Sequence, residues 1–297
     1  MEAIEVVVER ARRVDPVHLY AIGDWHVGAK MCDMEGIKEW CQRILADPFG
    51  KVILMGDLID SVGITDKRYD GRAVHPDFHA WVDENLVEAE TRWCCDTLLP
   101  LAKAGKIVAV LTGNHEEHVR KWTGRHSVCV DSHYDLCKYL SAQSGNPVRS
   151  LGYSGFVRLK LTCATEQEKR SVDMVTVYAN HGFGGGRRPG GHANALDDAL
   201  DAYLADLTLI AHRHQRIAIS KTRIGIKQRG KLVPVKHEMK AAITGTFLKT
   251  SEKGSHSYSE EKLYKPTEVG GLKCIIRTKH PSGTSVDRSR LEIAIEI

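Results

Sequence analysis

What this sequence lacks narrows the field before any motif is read. Its eight cysteines, Cys32, Cys41, Cys94, Cys95, Cys129, Cys137, Cys163 and Cys274, contain no C-x-x-C pair, which excludes a zinc ribbon and a thioredoxin-like site. No apolar run approaches the roughly 20 residues of a membrane-spanning helix. Residues 1–13 mix Glu2, Glu5 and Glu9 with apolar residues, whereas a secretory signal places a basic stretch before a continuous apolar core. The chain therefore reads as one without signal or anchor, cytoplasmic, with no membrane partner, and with cysteines kept as free, mostly buried thiols. Aromatic residues are sparse at 6%, and no RNA- or DNA-binding motif is present. An excess of one charge is missing too: 42 Lys and Arg against 38 Asp and Glu leave a formal +4. No repeat, low-complexity tract or Pro/Gly-rich linker divides the 297 residues, so one domain over residues 1–297 is expected. At 42% hydrophobic and 27% charged residues, intrinsic disorder and collagen are excluded.

What is present is a repeated grammar. Five short apolar runs, at residues 17–22, 51–55, 107–111, 174–178 and 207–210, each stop at a polar cluster. Such Val- and Ile-rich runs read as strands buried on both faces. Helix-compatible stretches at 34–46, 83–104, 132–144 and 193–205 lie between them, and this alternation argues for an α/β architecture. Ligands in open α/β sheets gather beyond the carboxyl ends of strands, and all five polar clusters sit there. Residues 61–83, with Arg68, Arg72, His75 and His79, read as a surface insertion that caps a site or meets another subunit. Residues 220–238 read as a hairpin turning near Arg229-Gly230, and residues 291–297 as a closing strand.

The clusters carry one chemistry. Asp24 and His26, two apart on extended chain, project to one side. Asp57 follows the second run, Asn114 and His115 the third, His181 the fourth, and His212 and His214 the fifth. Carboxylate, imidazole and amide oxygen suit divalent first-row metals, and the lack of thiolates argues against a closed structural zinc site. Seven candidate ligands are too many for one ion, and two ions sharing Asp57 would use them well.

In Gly23-Asp24-Trp25-His26, Gly56-Asp57-Leu58-Ile59-Asp60, Gly113-Asn114-His115-Glu116, Asn180-His181-Gly182 and Ala211-His212-Arg213-His214, the chain resembles the calcineurin-like metallophosphoesterase superfamily. Motif order agrees over about residues 17–215, with Ala211 in place of the family's usual glycine. The resemblance implies a four-layer αββα sandwich of two mixed sheets flanked by helices. It also implies two divalent ions, manganese first and iron, nickel or zinc as alternatives. One would take Asp24, His26, Asp57 and His214, and the other Asp57, Asn114, His181 and His212. Two ions about 3.5–4 Å apart hold a hydroxide between them and clamp the phosphate, so no Ser or Cys nucleophile is needed. His115, beside a ligand without being one, is placed to protonate the departing alkoxide, and Glu116 either orients that imidazole or serves as a helix-start acid.

Substrate class is read from what surrounds these motifs. The Gly-rich stretch 182–191 lacks the Gly-Lys-Ser/Thr of a Walker loop, and its Arg187 and Arg188 are candidates for gripping phosphate. Protein phosphatases of the superfamily carry arginines where this chain has Ser61 and Thr112, so that activity is disfavoured. From Arg213, itself a candidate substrate contact, to Lys253, eleven Lys or Arg face two acids, a basic segment suited to a polyanion or to a solvated hairpin edge. The stretch Gly245-Thr-Phe-Leu-Lys-Thr250, with Tyr258 and Tyr264-Lys-Pro266, resembles calcineurin-like proteins of phages and prophages. The expectation is a two-metal phosphodiesterase acting on nucleic acid. A small-diester hydrolase is the alternative, and a catalytically silent binding protein the third reading.

Overall fold

Each expected run forms a strand, and a computed structural model of the protein shows how the strands are joined. It describes residues 1–62, 69–82, 85–124, 130–165, 168–184, 188–226, 234–250, 266, 268–278 and 291–297. One six-stranded sheet contains, in spatial order, β1 (Glu2–Arg10), β6 (Ser154–Thr165), β7 (Glu168–Asn180), β8 (Leu207–Ile210), β10 (Pro234–Thr244) and β9 (Arg216–Ile226). The other runs β12 (Leu291–Glu296), β11 (Leu272–Thr278), β2 (Val17–Ile22), β3 (Gly50–Leu54), β4 (Ile107–Leu111) and β5 (Ser150–Gly152). Both sheets are mixed: β2 to β5 run parallel, while β11 is antiparallel to β2, and β6 and β9 are antiparallel to β7 and β10.

The two-residue period of a strand decides the layers. Leu19, Ala21, Ile53 and Leu111 face Leu159, Val177, Leu207 and Leu209 across the space between the sheets. Their neighbours Tyr20, Ile22, Val52 and Leu54 point the other way, onto α1 (Met34–Ala46), α2 (Leu86–Lys103) and α4 (Ser132–Ser144). On the far side Met239, Ala241 and Ile243 pack on Leu196 and Leu200 of α5 (Pro189–Ala202). The result is a four-layer αββα sandwich. Both faces of the parallel strands are covered, which is why they read as unbroken apolar runs.

Five elements escape a search for such runs, among them the short β5 and the antiparallel β11. β6 alternates instead, with Val157, Leu159 and Leu161 buried and Arg158 exposed. β1 pairs with it in parallel at the sheet edge, and α3 (Asn114–Gly124) begins on the third polar cluster itself. The fourth expected helix starts four residues early, at Pro189, a residue suited to the first helical turn. The expected hairpin is β9–β10, whose turn falls outside the described residues.

In the expected insertion, residues 63–68 (with Arg68) and residue 83 lie outside the described residues. The remainder makes two short 3-10 turns, Gly71–Ala73 and Pro76–Trp81, docked on the chain just beyond His26. His75 donates its backbone N–H to the Gly28 carbonyl (2.7 Å), and Lys30 donates to that of Ala73 (2.7 Å). The seven described cysteines are free and buried, and Cys129 lies outside the described residues. No described helix is long and apolar enough to cross a membrane.

Candidate metal centre

The strand ends deliver the polar clusters in a conformation that the sequence reading did not anticipate. Asp24 (φ 49°), His26 (50°), Asp57 (49°), His212 (66°) and His214 (52°) all lie in the left-handed region, as does Ser61 (53°); no other described non-glycine residue does. The extended chain expected at Asp24 and His26 is therefore corrected, although their side chains still come together. Each sits at a reversal that costs about 1–3 kcal/mol, and the surrounding contacts hold it there. Trp25 and His26 donate backbone N–H to the Asp57 carbonyl (2.8 and 3.1 Å), zipping the loop after β2 to that after β3. The Asp24 carbonyl accepts from Thr246 Oγ1 and from the Phe247 N–H, both at 2.9 Å. Buried Trp25 meets the Phe247 ring edge-on, its centroid 6.3 Å away. Gly113 has no alternative residue: a Cβ there would lie 2.0 Å from Asp57 Oδ1.

These loops bring all seven expected ligands together. Donor atoms of Asp24, His26 and His214 lie within 4.8 Å of one another, and so do those of Asp57, His181 and His212. His26 Nε2 stands 3.9 Å from Asp57 Oδ2, linking the two groups, and Asn114 Oδ1 is 3.1 Å from His181 Nε2. A third set joins His26 and Asp57 to His115.

The electrostatics suit cations. His181 Nδ1 donates to the Met55 carbonyl (2.8 Å), which leaves Nε2 facing two acceptors, Asn114 Oδ1 and Asp57 Oδ2 (3.2 Å). A lone pair cannot rest against two acceptors, so a proton or a metal ion must lie between them. Burial disfavours the charged ring, but the Asp57 carboxylate outweighs it and pushes His181 up to about 9. Burial likewise works against charge on Asp57, yet the His181 and His115 rings hold its carboxyl well below the usual range. His26 Nε2 and His214 Nε2 face each other at 3.3 Å, so either one ring donates to the other or a cation lies between them. Burial pushes His26 and His212 down, toward the neutral form that binds metal. Asp24 Oδ1 is buried without a hydrogen-bond partner, although the neighbouring Oδ2 accepts from the His212 N–H (2.8 Å). Unpaired anionic oxygen beside imidazole nitrogen is a donor set that a divalent cation satisfies.

His115 and Glu116 divide their tasks differently from the expectation. Buried Glu116 spends its carboxylate on backbone N–H groups: Leu58 (2.7 Å), Gly113 (2.8 Å) and Asp57 (3.2 Å). It therefore ties the loop after β3 to the start of α3, which corrects its orienting role in favour of the helix-start acid. The His115 imidazole meets Asp60, whose carbonyl lies 2.5 Å from Nδ1 and whose Oδ1 lies 3.6 Å away, and the His26 ring, whose centroid is 4.6 Å off. Asp60 Oδ1 is also 3.4 Å from His26 Nδ1. Asp60 stands in the second motif without an expected task, and Thr246 and Phe247 stand likewise in the stretch 245–250.

The expected phosphate-gripping arginines fare unequally. Arg187 lies outside the described residues. Arg188 is exposed at the start of α5, and its guanidinium has no partner among the described residues. Arg213 is engaged within the fold: Nη1 lies 3.3 Å from His192 Nδ1, and Nη2 donates to the Phe183 carbonyl (3.2 Å).

Comparison with known proteins adds little to this geometry. No family model and no curated protein matches the chain. Solved phosphoesterases resemble it faintly. One is a conserved uncharacterized protein of Streptococcus pneumoniae TIGR4, described as a predicted phosphoesterase (11% identity, 95% of this chain and 99% of that one, TM-score 0.31). Another is a metallophosphoesterase of Sphaerobacter thermophilus (12%, 88% and 83%, 0.35). A third is a calcineurin-like phosphoesterase of Bacillus subtilis (10%, 95% and 91%, 0.33).

Proposed function

We propose that this chain is a calcineurin-like metallophosphoesterase, a phosphodiesterase that uses two divalent ions, manganese first, to hydrolyse nucleic-acid phosphodiesters. The observation that carries the reading is the pair of Asp/His clusters linked through His26 and Asp57. Asp24, His26, Asp57 and His214 would hold one ion, and Asp57, Asn114, His181 and His212 the other. Divalent cations bound there supply Lewis acidity toward phosphoryl oxygen and lower the pKa of water. His115 then delivers a proton to the leaving alkoxide, with Asp60 as counter-ion to the imidazolium. The left-handed conformations hold the ligands in place before substrate arrives, so little reorganisation is left for the reaction itself. A diester is favoured over a protein phosphomonoester because Ser61 and Thr112 stand where two gripping arginines would be required.

A second reading, hydrolysis of a small diester, is favoured by one observation. Much of the basic segment is paired internally: Lys221 bonds to Asp197 and Asp201 (2.8 Å each), Arg223 to Asp201, Arg216 to Glu268, and Lys249 to Asp33. Charge spent on carboxylates attracts a polyanion less.

Metal-stripped protein refilled with Mn²⁺ is expected to cut end-labelled DNA, and Asp57→Asn to lose more than about a hundredfold of that activity. If only a chromogenic small diester is cut, the nucleic-acid reading gives way to the second. If nothing is cut with any divalent ion, both fail and the chain is a binding protein.

A further inference from the structure

We infer that Phe183 is a stacking platform for the nucleobase beside the scissile phosphate; this rests on the phosphodiesterase reading and names what its substrate carries. Three observations converge on this residue. First, Phe183 is the most exposed large apolar side chain among the described residues, at 85%, in a chain with only five phenylalanines. Leaving that ring in water forgoes about 25 cal/mol for every Å² of apolar surface that burial would remove.

Second, its place is the edge of the metal centre. Two peptide units separate it from His181, so the two Cα atoms lie within about 7.6 Å. The loop also packs tightly on the one that bears His212 and His214. A Cβ on Gly182 (φ 98°) would stand 2.7 Å from the Ala211 carbonyl oxygen.

Third, the backbone around the ring is fixed by side chains from separate elements. Gly182 donates its N–H to Asn180 Oδ1 (2.7 Å), and Tyr153 donates its hydroxyl to the Gly182 carbonyl (2.6 Å). Arg213, between two expected ligands, donates to the carbonyl of Phe183 itself. Asn180 is held in turn by the hydroxyl of Tyr178, 2.9 Å from its amide nitrogen. An exposed aromatic on an unconstrained loop would be of no consequence. Here the ring is exposed while its backbone is anchored, which is how a stacking surface keeps the entropy cost of binding low. Every base has a π-face, so such a platform recognises nucleotides without reading sequence. Arg213 acts as a positioning residue, which accounts for its engagement within the fold in place of a free guanidinium.

The test compares thymidine 5′-(p-nitrophenyl phosphate) with methyl p-nitrophenyl phosphate, which has no base, on Mn²⁺-loaded wild type, Phe183→Ala, Phe183→Leu and Phe183→Trp. Base–aromatic stacking predicts that Ala and Leu reduce the kcat/KM preference for the thymidine ester by about fivefold to a hundredfold, chiefly through KM, and that Trp retains it. Calorimetric titration with 5′-AMP and methyl phosphate gives a readout independent of turnover, and the same variants should weaken 5′-AMP selectively. An equal loss on both esters, or full retention by Leu, would overturn the inference while leaving the phosphodiesterase intact. Selective loss of 5′-AMP binding in a protein that cuts neither ester would sustain the platform and sink the phosphodiesterase. A matching loss on a single-stranded oligonucleotide assigns the base to a strand, and confinement to the thymidine ester assigns a small nucleotide diester.

Discussion

At the scale of single residues, neighbours in sequence have separate work. His115 and Glu116 are adjacent, yet the imidazole meets Asp60 while the carboxylate collects three backbone N–H groups within 3.2 Å. Truncating the first should affect chemistry, and altering the second should affect stability. His115→Ala is expected to lower kcat by about 10²- to 10⁴-fold with little change in the urea midpoint. Glu116→Gln replaces an acceptor oxygen by an NH₂ that faces donors, and leaving a buried N–H unpaired costs about 1–3 kcal/mol. Urea unfolding of metal-free protein beside steady-state kinetics checks both. A Glu116→Gln protein of native stability with a collapsed kcat would return that residue to the catalytic apparatus.

At the scale of elements, the strand-end loops are braced from behind by helices. Glu90, buried on α2, accepts the Ser61 N–H at 2.9 Å through Oε2, and its other oxygen has no hydrogen-bond partner. Burial, and then the Asp60 carboxylate, push its carboxyl well above the ordinary range. The sign follows from linkage. A carboxyl whose folded pKa is raised favours folding when protonated, and it costs stability increasingly as pH climbs from the unfolded value near 4.5 through the folded one. Glu90→Gln resembles the protonated acid and keeps an oxygen for Ser61. It should raise the Tm at pH 8 and leave it nearly unchanged at pH 5. Thermal scans of metal-free protein decide the matter, and a destabilised variant at pH 8 would show that the ionised carboxylate is needed.

Over the whole molecule, charge is balanced by contacts between distant parts of the chain. The eleven basic residues between 213 and 253 stand out in the sequence, but α5 brings Asp197 and Asp201 against Lys221 and Arg223. Replacing both acids by asparagine frees two cations. If that face follows a nucleic-acid strand, the log–log salt dependence of single-stranded DNA competition should steepen by about 0.7 for each phosphate newly contacted, near 1.4 for both. An unchanged slope would mean that the β9–β10 hairpin lies away from the path of substrate.

The amino-acid sequence by itself determined the alternation of strands and helices, the seven candidate ligands and their order, because binary patterning and short motifs are local properties of the chain. It also marked helices 34–46 and 132–144 at the boundaries observed. It missed β6, where the signal is alternation. Only the tertiary structure decided which carboxylate meets His115, which residues take left-handed conformations, and that Arg213 holds Phe183. Those outcomes depend on groups far apart in sequence, such as the His212 N–H on Asp24, 188 residues away. Periodicity carries no record of such pairings, because they are chosen when two sheets close on a common core and their strand ends meet.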